Sequence, residues 1–176
     1  TDAGALLLAA LEDPNPVLVL EHKLLYKQSF QVPSVFPAAR LGEGRVERKG
    51  TDLTIVATSV EVQRSIEAAE QLAAAGISAE VIDPRTIKPL DVPLILDSVS
   101  RTGRVLLVQE APKFAGFMAE VSSTIAESEV FGDLLAPIRR LCGLDTPIPY
   151  SPTLERASVP QVDDIVREAT ALVREW

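Results

Sequence analysis

The chain has 176 residues, 47% of them hydrophobic, with mean hydropathy +0.18, 17 Lys and Arg against 25 Asp and Glu, and a net charge of −8. That charge argues against a nucleic-acid backbone as partner, since such affinity rests on clustered cations, and suits a basic protein partner instead. No run approaches the ~18 apolar residues of a membrane span, and the one cysteine excludes an internal disulfide and fits a reducing compartment.

The length suits one well-buried domain, or one domain with part of another. No basic-then-apolar signal segment opens the chain, and the first residue is not Met, so a processed or truncated product is expected. Residues 5–11 are helix-favouring and apolar nearly all round, which predicts a helix buried on several sides. Asp13, Pro14, Asn15 and Pro16 stop it. Residues 17–21 (VLVLE) read as a fully buried strand, which needs neighbours on both edges. The loop-like text after it, with Pro33 and Pro37, does not supply them. The opening residues are therefore expected to be the end of a second domain.

Residues 42–50 (GEGRVERKG) are short and charged, as an edge strand would be. Residues 50–91 then read as strand, helix, strand. LTIVA is apolar and β-branched; Ser59 offers a cap; Val62, Ile66, Ala69, Leu72 and Ala73 follow at helical spacing; Gly76 ends the helix; AEVID is the second strand. One crossover helix joins parallel neighbours, nearly always with right-handed sense. Asp91 is expected to cap the next helix, with Pro93 in its first turn and Gly103 at its end. VLLVQ at 105–109 predicts a third buried strand, Met118, Val121 and Ile125 a helix, and residues 137–141 a fourth strand. Residues 142–152 hold three prolines and read as irregular; Ser158 with Gln161 offers a capping box for a last helix striped by Val162, Ile165, Val166, Ala169, Leu172, Val173 and Trp176. The alternation predicts a three-layer α/β/α sandwich with a mostly parallel sheet.

The chemical inventory is thin. His22, the only histidine, has no Ser, Cys or metal-ligand partner at useful spacing and reads as structural. Cys142, near Arg139 and Arg140, reads as a small hydrophobe. No glycine-rich phosphate loop follows a strand, and no His/Cys set has zinc spacing. Asp83 and Glu110 end strands where open α/β sheets place ligands, though helix capping or binding of backbone amides is the simpler role. Spacing alone yields no catalytic or cofactor-binding residue.

The ordered stretches PNPVLVLEHKLLY, LGEGRVERKGTDLTIV, AAEQLAAAGISAEVIDPRTIKPLD, TGRVLLVQEAPKFAGFMAEV, LCGLDTPIPYSPTLE and VPQVDDIV resemble the second half of a known subunit. It is the beta subunit of the thiamine-diphosphate-dependent first component of 2-oxo acid dehydrogenase complexes, within the transketolase-like family. The resemblance covers the whole chain.

It implies that residues 1–35 end a thiamine-pyrimidine-type domain, 36–49 form a linker and edge strand, and 50–176 are a transketolase C-terminal-type domain. The implied enzyme is an α2β2 heterotetramer using thiamine diphosphate and magnesium. It decarboxylates pyruvate or a branched-chain 2-oxo acid and passes the acyl group to lipoyl on the second component. The implied location is the cytoplasm in a bacterium or the mitochondrial matrix in a eukaryote. The family's catalytic Glu and His lie upstream of these residues, so the chain alone is expected to be inactive and to serve subunit packing and docking. Acetoin dehydrogenase, transketolase, deoxyxylulose-phosphate synthase and a non-catalytic assembly module are the rival readings. LEHKLLY and GLDTPIPY favour the two-chain dehydrogenases.

Two sets of site residues follow from the resemblance. Some relatives hold a structural potassium ion on carbonyls of a helix-to-strand turn, and the matching positions are Ala10, Leu11, Asp13 and Asn15; the bare residues also fit an ordinary Asx/Pro turn. The family domain docks the basic peripheral-subunit-binding domain of the acyltransferase component. Here Asp133, Glu175 and Trp176 match that surface, while Leu135 stands where many relatives carry an acid.

Overall fold

The computed structural model describes residues 2–29 and 31–176. A five-stranded sheet forms the centre, with β1 (Arg45–Arg48), β2 (Leu53–Ala57), β3 (Ala79–Asp83), β4 (Val105–Pro112) and β5 (Arg139–Gly143) in the order β1-β3-β2-β4-β5. β2, β3, β4 and β5 run parallel, and β1 closes one edge antiparallel to β3. Its helices are α1 (Asp2–Glu12), α2 (Val60–Ala74), α3 (Val92–Thr102), α4 (Phe117–Ala126), α5 (Pro152–Ser158) and α6 (Val162–Arg174).

Strand alternation decides the layers. Leu53, Ile55 and Ala57 of β2 and Leu106 and Val108 of β4 point to one face, where Val62, Ala69 and Leu72 of α2 meet Ile165, Ala169 and Leu172 of α6. Val56, Ile82, Val105 and Leu107 point to the other, against Ile95 and Val99 of α3 and Met118, Val121 and Ile125 of α4. This is the expected three-layer α/β/α sandwich, with β2 buried along its whole length. The α3 side also encloses a polar chain: Thr54 Oγ1 meets Ser98 Oγ (2.6 Å) and Thr102 Oγ1 (2.8 Å), and Ser98 donates to Glu80 Oε1 (2.5 Å). Arg101 Nη2 donates to the same carboxylate oxygen at 2.6 Å.

Local signals held where backbone geometry required them. Asp91 accepts from the Leu94 amide, and Gly76 (φ 81°) and Gly103 (φ 66°) are left-handed at helix ends.

Five expectations need correction. Helix α1 forms, but of its residues only Ala5 is buried, and Leu11 is 74% exposed. Residues 17–21 form no strand and pair with none among the described residues, and Leu18 is 91% exposed. Both segments are apolar enough for a core, yet nothing described covers them. Ser59 does not cap α2: the two-residue turn from β2 puts it at φ 58°, ψ −129°, and its side chain makes no cap bond. The last helix is capped by Gln161, whose amide donates to Asp164 Oδ2 (3.0 Å), while Ser158 ends α5 and donates to the Leu154 carbonyl. The fourth parallel strand is shifted two residues, to Arg139–Gly143. α5 was not foreseen; Pro152, read as the end of the irregular stretch, instead occupies its first turn, where a proline costs a helix nothing.

Candidate functional site

Two places on the domain gather unusual side chains. The first lies at the end of the sheet where β5 begins. A 3-10 turn (Glu129–Asp133) follows α4, and the chain then runs through Leu134, Leu135, Ala136 and Pro137 into β5. The Leu135 amide donates to the Gly103 carbonyl (2.7 Å), which fixes this loop against the end of α3. Phe131, Leu134, Leu135, Ala136, Pro137, Ile138 and Trp176 together line an open hollow of about 600 Å³. Phe131, Leu135 and Trp176 are all exposed, so the hollow presents apolar surface to solvent. Asp133, the last residue of the 3-10 turn, accepts from Ser100 Oγ at 2.6 Å. Of the expected docking residues, Trp176 lines this hollow, and Asp133 precedes its lining residue Leu134 in the chain. Glu175 is the C-cap of α6, and its amide donates to the Ala171 carbonyl. Phe131 was not singled out from the sequence, and Pro137 and Ile138 were read there only as the start of a strand.

The second place is the carboxyl edge of the sheet. Asp83 Oδ1 accepts from the Arg85 amide (2.8 Å), so it does bind a backbone amide, and burial raises its pKa. Glu110 does neither simple task. Its Oε2 meets His22 Nε2 at 2.7 Å and its Oε1 faces Arg64 Nη1 at 3.4 Å. Arg64 Nη1 also donates to Glu61 Oε1 (2.5 Å) and to the Pro160 carbonyl (3.0 Å). Glu61 is fully buried, and burial pushes its pKa up to about 7 against the opposing pull of Arg64. Sequence reasoning missed Glu61 and Arg64, which read as the polar side of an amphipathic helix.

The remaining candidates are quickly placed. Asp13 Oδ1 accepts from both the Asn15 amide (2.8 Å) and Asn15 Nδ2 (2.9 Å), an Asx turn closed on itself. Ala10 and Leu11 lie in the last turn of α1, where carbonyls lack helical partners. Cys142 is half-buried, and burial raises its thiol pKa despite Arg140 and Lys113. Among the described residues no three His, Cys, Asp or Glu side chains converge as metal donors. No described helix is long and apolar enough to cross a membrane.

A parallel sheet with one antiparallel edge strand, covered by α2 and α6 on one face and α3 and α4 on the other, defines a three-layer α/β/α domain. The chain belongs to the transketolase C-terminal domain family, whose model matches residues 42–165. It is 46% identical over 173 residues to the mitochondrial pyruvate dehydrogenase E1 component subunit beta-2 of Oryza sativa subsp. japonica, covering 96% of this chain and 46% of that protein. It is 39% identical over 175 residues to the pyruvate dehydrogenase E1 component subunit beta of Rhizobium meliloti (strain 1021), covering 97% and 37%. Among solved structures, a split-gene transketolase described as an inactive beta4 tetramer aligns with TM-score 0.66 and 29% identity over 81% of this chain and 47% of that one. The chain spans about half the length, or less, of the curated relatives it matches. The family resemblance drawn from the motifs agrees with these matches.

Proposed function

We propose that this chain serves as the transketolase C-terminal-type portion of the beta subunit of a 2-oxo acid dehydrogenase acting on pyruvate or a branched-chain 2-oxo acid. The observation that carries this reading is 46% identity across 96% of the chain to a pyruvate dehydrogenase beta subunit. In such an enzyme, thiamine diphosphate with magnesium supplies the decarboxylating and acyl-carrying chemistry. The residues at the carboxyl edge of the sheet do not fit that group: Glu110 is engaged by His22 and Arg64, and Asp83 by the Arg85 amide. The cofactor site is therefore assigned to the rest of the assembly.

The chain's own share is protein contact. An alpha subunit and a second beta subunit are the proposed packing partners, and a tetramer of beta-type chains has a precedent in the solved relative. The hollow beside Asp133 is the proposed docking surface for the basic peripheral-subunit-binding domain of the acyltransferase. Leu135 lines it, so the contact gains apolar burial at a position where an acid would give an ion pair. The location follows the relatives, mitochondrial matrix or bacterial cytoplasm.

The test is reconstitution. The intact beta subunit carrying this chain is combined with its alpha subunit, thiamine diphosphate and magnesium, and assayed against pyruvate, branched-chain 2-oxo acids and acetoin. Turnover of a 2-oxo acid by the complex, with none by residues 1–176 alone, is expected. Turnover by the isolated chain, or turnover of acetoin only, overturns the reading. Separately, Leu135→Ala should weaken acyltransferase binding by about tenfold through the lost apolar contact.

A further inference from the structure

Two charged contacts tie the leading segment to the domain, and both fall at the carboxyl edge of the sheet. Asp2 Oδ2 lies 2.6 Å from Arg45 Nη1 and 3.8 Å from Arg85 Nε. Further along, the imidazole of His22 reaches Glu110, just past the buried part of β4. The His22 ring is engaged at both nitrogens. Nδ1 accepts from the Leu24 amide at 3.2 Å and so starts the 3-10 turn Lys23–Lys27; that leaves Nε2–H to donate to Glu110.

Glu110 does not stand alone. Its second oxygen shares Arg64 with Glu61, whose residue is fully buried at the start of α2. Glu61 Oε2 has no hydrogen-bond partner among the described residues, and Ser65 Oγ, one turn on, has none either. A carboxylate with one oxygen stranded in the interior is costly when ionised, and that oxygen is where a proton is most easily kept.

We propose that the His22–Glu110 contact is a latch holding the leading segment on the carboxyl edge of the sheet, and that the proton on Glu61 sets its strength through Arg64. With Glu61 neutral, the Arg64 charge is left to Glu110 and keeps its carboxylate facing His22. With Glu61 ionised, Arg64 is drawn to Glu61, and the new negative charge repels Glu110. The charged and titratable groups facing Glu61 are Arg64 on its own helix, Glu110 from β4 and Asp164 from the first turn of α6. Asp164 is itself paired with Arg167 (2.8 Å). Burial, with Glu110 and Asp164 adding to it, puts the Glu61 transition near neutrality. The latch is closed below that point and loosened above it. This follows from contacts within the chain and holds whatever the chain's partners are.

Amide exchange of the intact chain tests it, read by NMR at pH 6.0 and pH 8.5 after correction for intrinsic rates. The probes are Leu24, Leu25 and Gln28, whose amides bond to His22 Nδ1, the His22 carbonyl and the Leu25 carbonyl. Protection should fall about threefold or more at the higher pH, the scale of a partly solvated charge contact. Glu61→Gln should retain the pH 6.0 protection at pH 8.5. His22→Gln, which leaves the buried residues untouched, should lower protection at both pH values. Equal protection at both pH values in the parent chain, or a fall that persists in Glu61→Gln, overturns the proposal.

Discussion

Replacing Glu61 by Gln should change how stability depends on pH, and the structure sets both sign and size. The side chain is fully buried; its carboxyl titrates near 7 when folded and near 4.5 in the absence of structure. The folded state thus holds the proton more tightly, so Glu61 supports folding fully below 4.5. That support is lost as pH rises through the window from 4.5 to about 7, and no further change follows above it. At 1.36 kcal/mol per tenfold, the gap between the two values caps the effect at about 3 kcal/mol, most of it lost between pH 5 and pH 8. Gln keeps the acceptor for Arg64 and cannot ionise. The variant should therefore gain on the parent protein by about 2–3 kcal/mol between pH 5 and pH 8, or roughly 5–10 °C in Tm for a chain of this size. Urea unfolding of both proteins at pH 5, 6.5 and 8 measures this directly. A difference that stays constant to within about 0.5 kcal/mol over that range would refute the assignment of a near-neutral transition to Glu61.

Gly116→Ala should destabilise by about 3 kcal/mol, seen as an earlier urea midpoint. An added Cβ would lie 1.9 Å from Gln109 Nε2, breaking the amide clamp that Gln109 forms with the Pro112 carbonyl and the Met118 amide. Glu80→Ala should cost about 1–2 kcal/mol in the same assay, because it removes the carboxylate that accepts from both Ser98 and Arg101 and leaves the Ser98 hydroxyl with Thr54 alone. At the Asp13 turn, potassium and sodium chloride at equal ionic strength should give the same Tm for this chain, since the turn is closed by its own Asp13–Asn15 hydrogen bonds without an ion. A potassium-specific rise would instead support the ion at Ala10 and Leu11.

The layers were legible because they depend on periodicity. Continuous β-branched runs marked β2, β3 and β4, and the 3.6-residue stripe of Ile165, Ala169 and Leu172 marked α6. Asp91 and Gly103 were legible because a cap needs one residue type at one place. The candidate sites were less so. Glu61 and Arg64 look like the wet side of α2, and only the closeness of the sheet edge, the Pro160 carbonyl and Glu110 buries them. His22 and Glu110 are 88 positions apart, and no spacing rule links them. The opening segment failed in another way. Apolar content in residues 5–11 and 17–21 predicts burial, but burial also needs covering layers, which a local pattern does not carry.

The carboxyl edge of this sheet repays comparison with its sister loops. All three non-glycine residues with left-handed φ among those described, Ser59, Arg85 and Ala115, sit in the turns that leave β2, β3 and β4. Strain of this kind persists only where the surroundings over-determine it, and it gathers where a surface must keep one shape. In many open α/β sheets that surface is shaped for a small ligand. Here the Arg85 side chain faces Asp2, the segment starting at Ser59 carries Glu61 and Arg64 to Glu110, and Glu110 meets His22. The strained turns after β2 and β3 thus serve contacts with the chain's own leading segment. The same crevice that other α/β domains give to a ligand is occupied in this one by the chain's own leading segment, through Asp2 at Arg85 and His22 at Glu110.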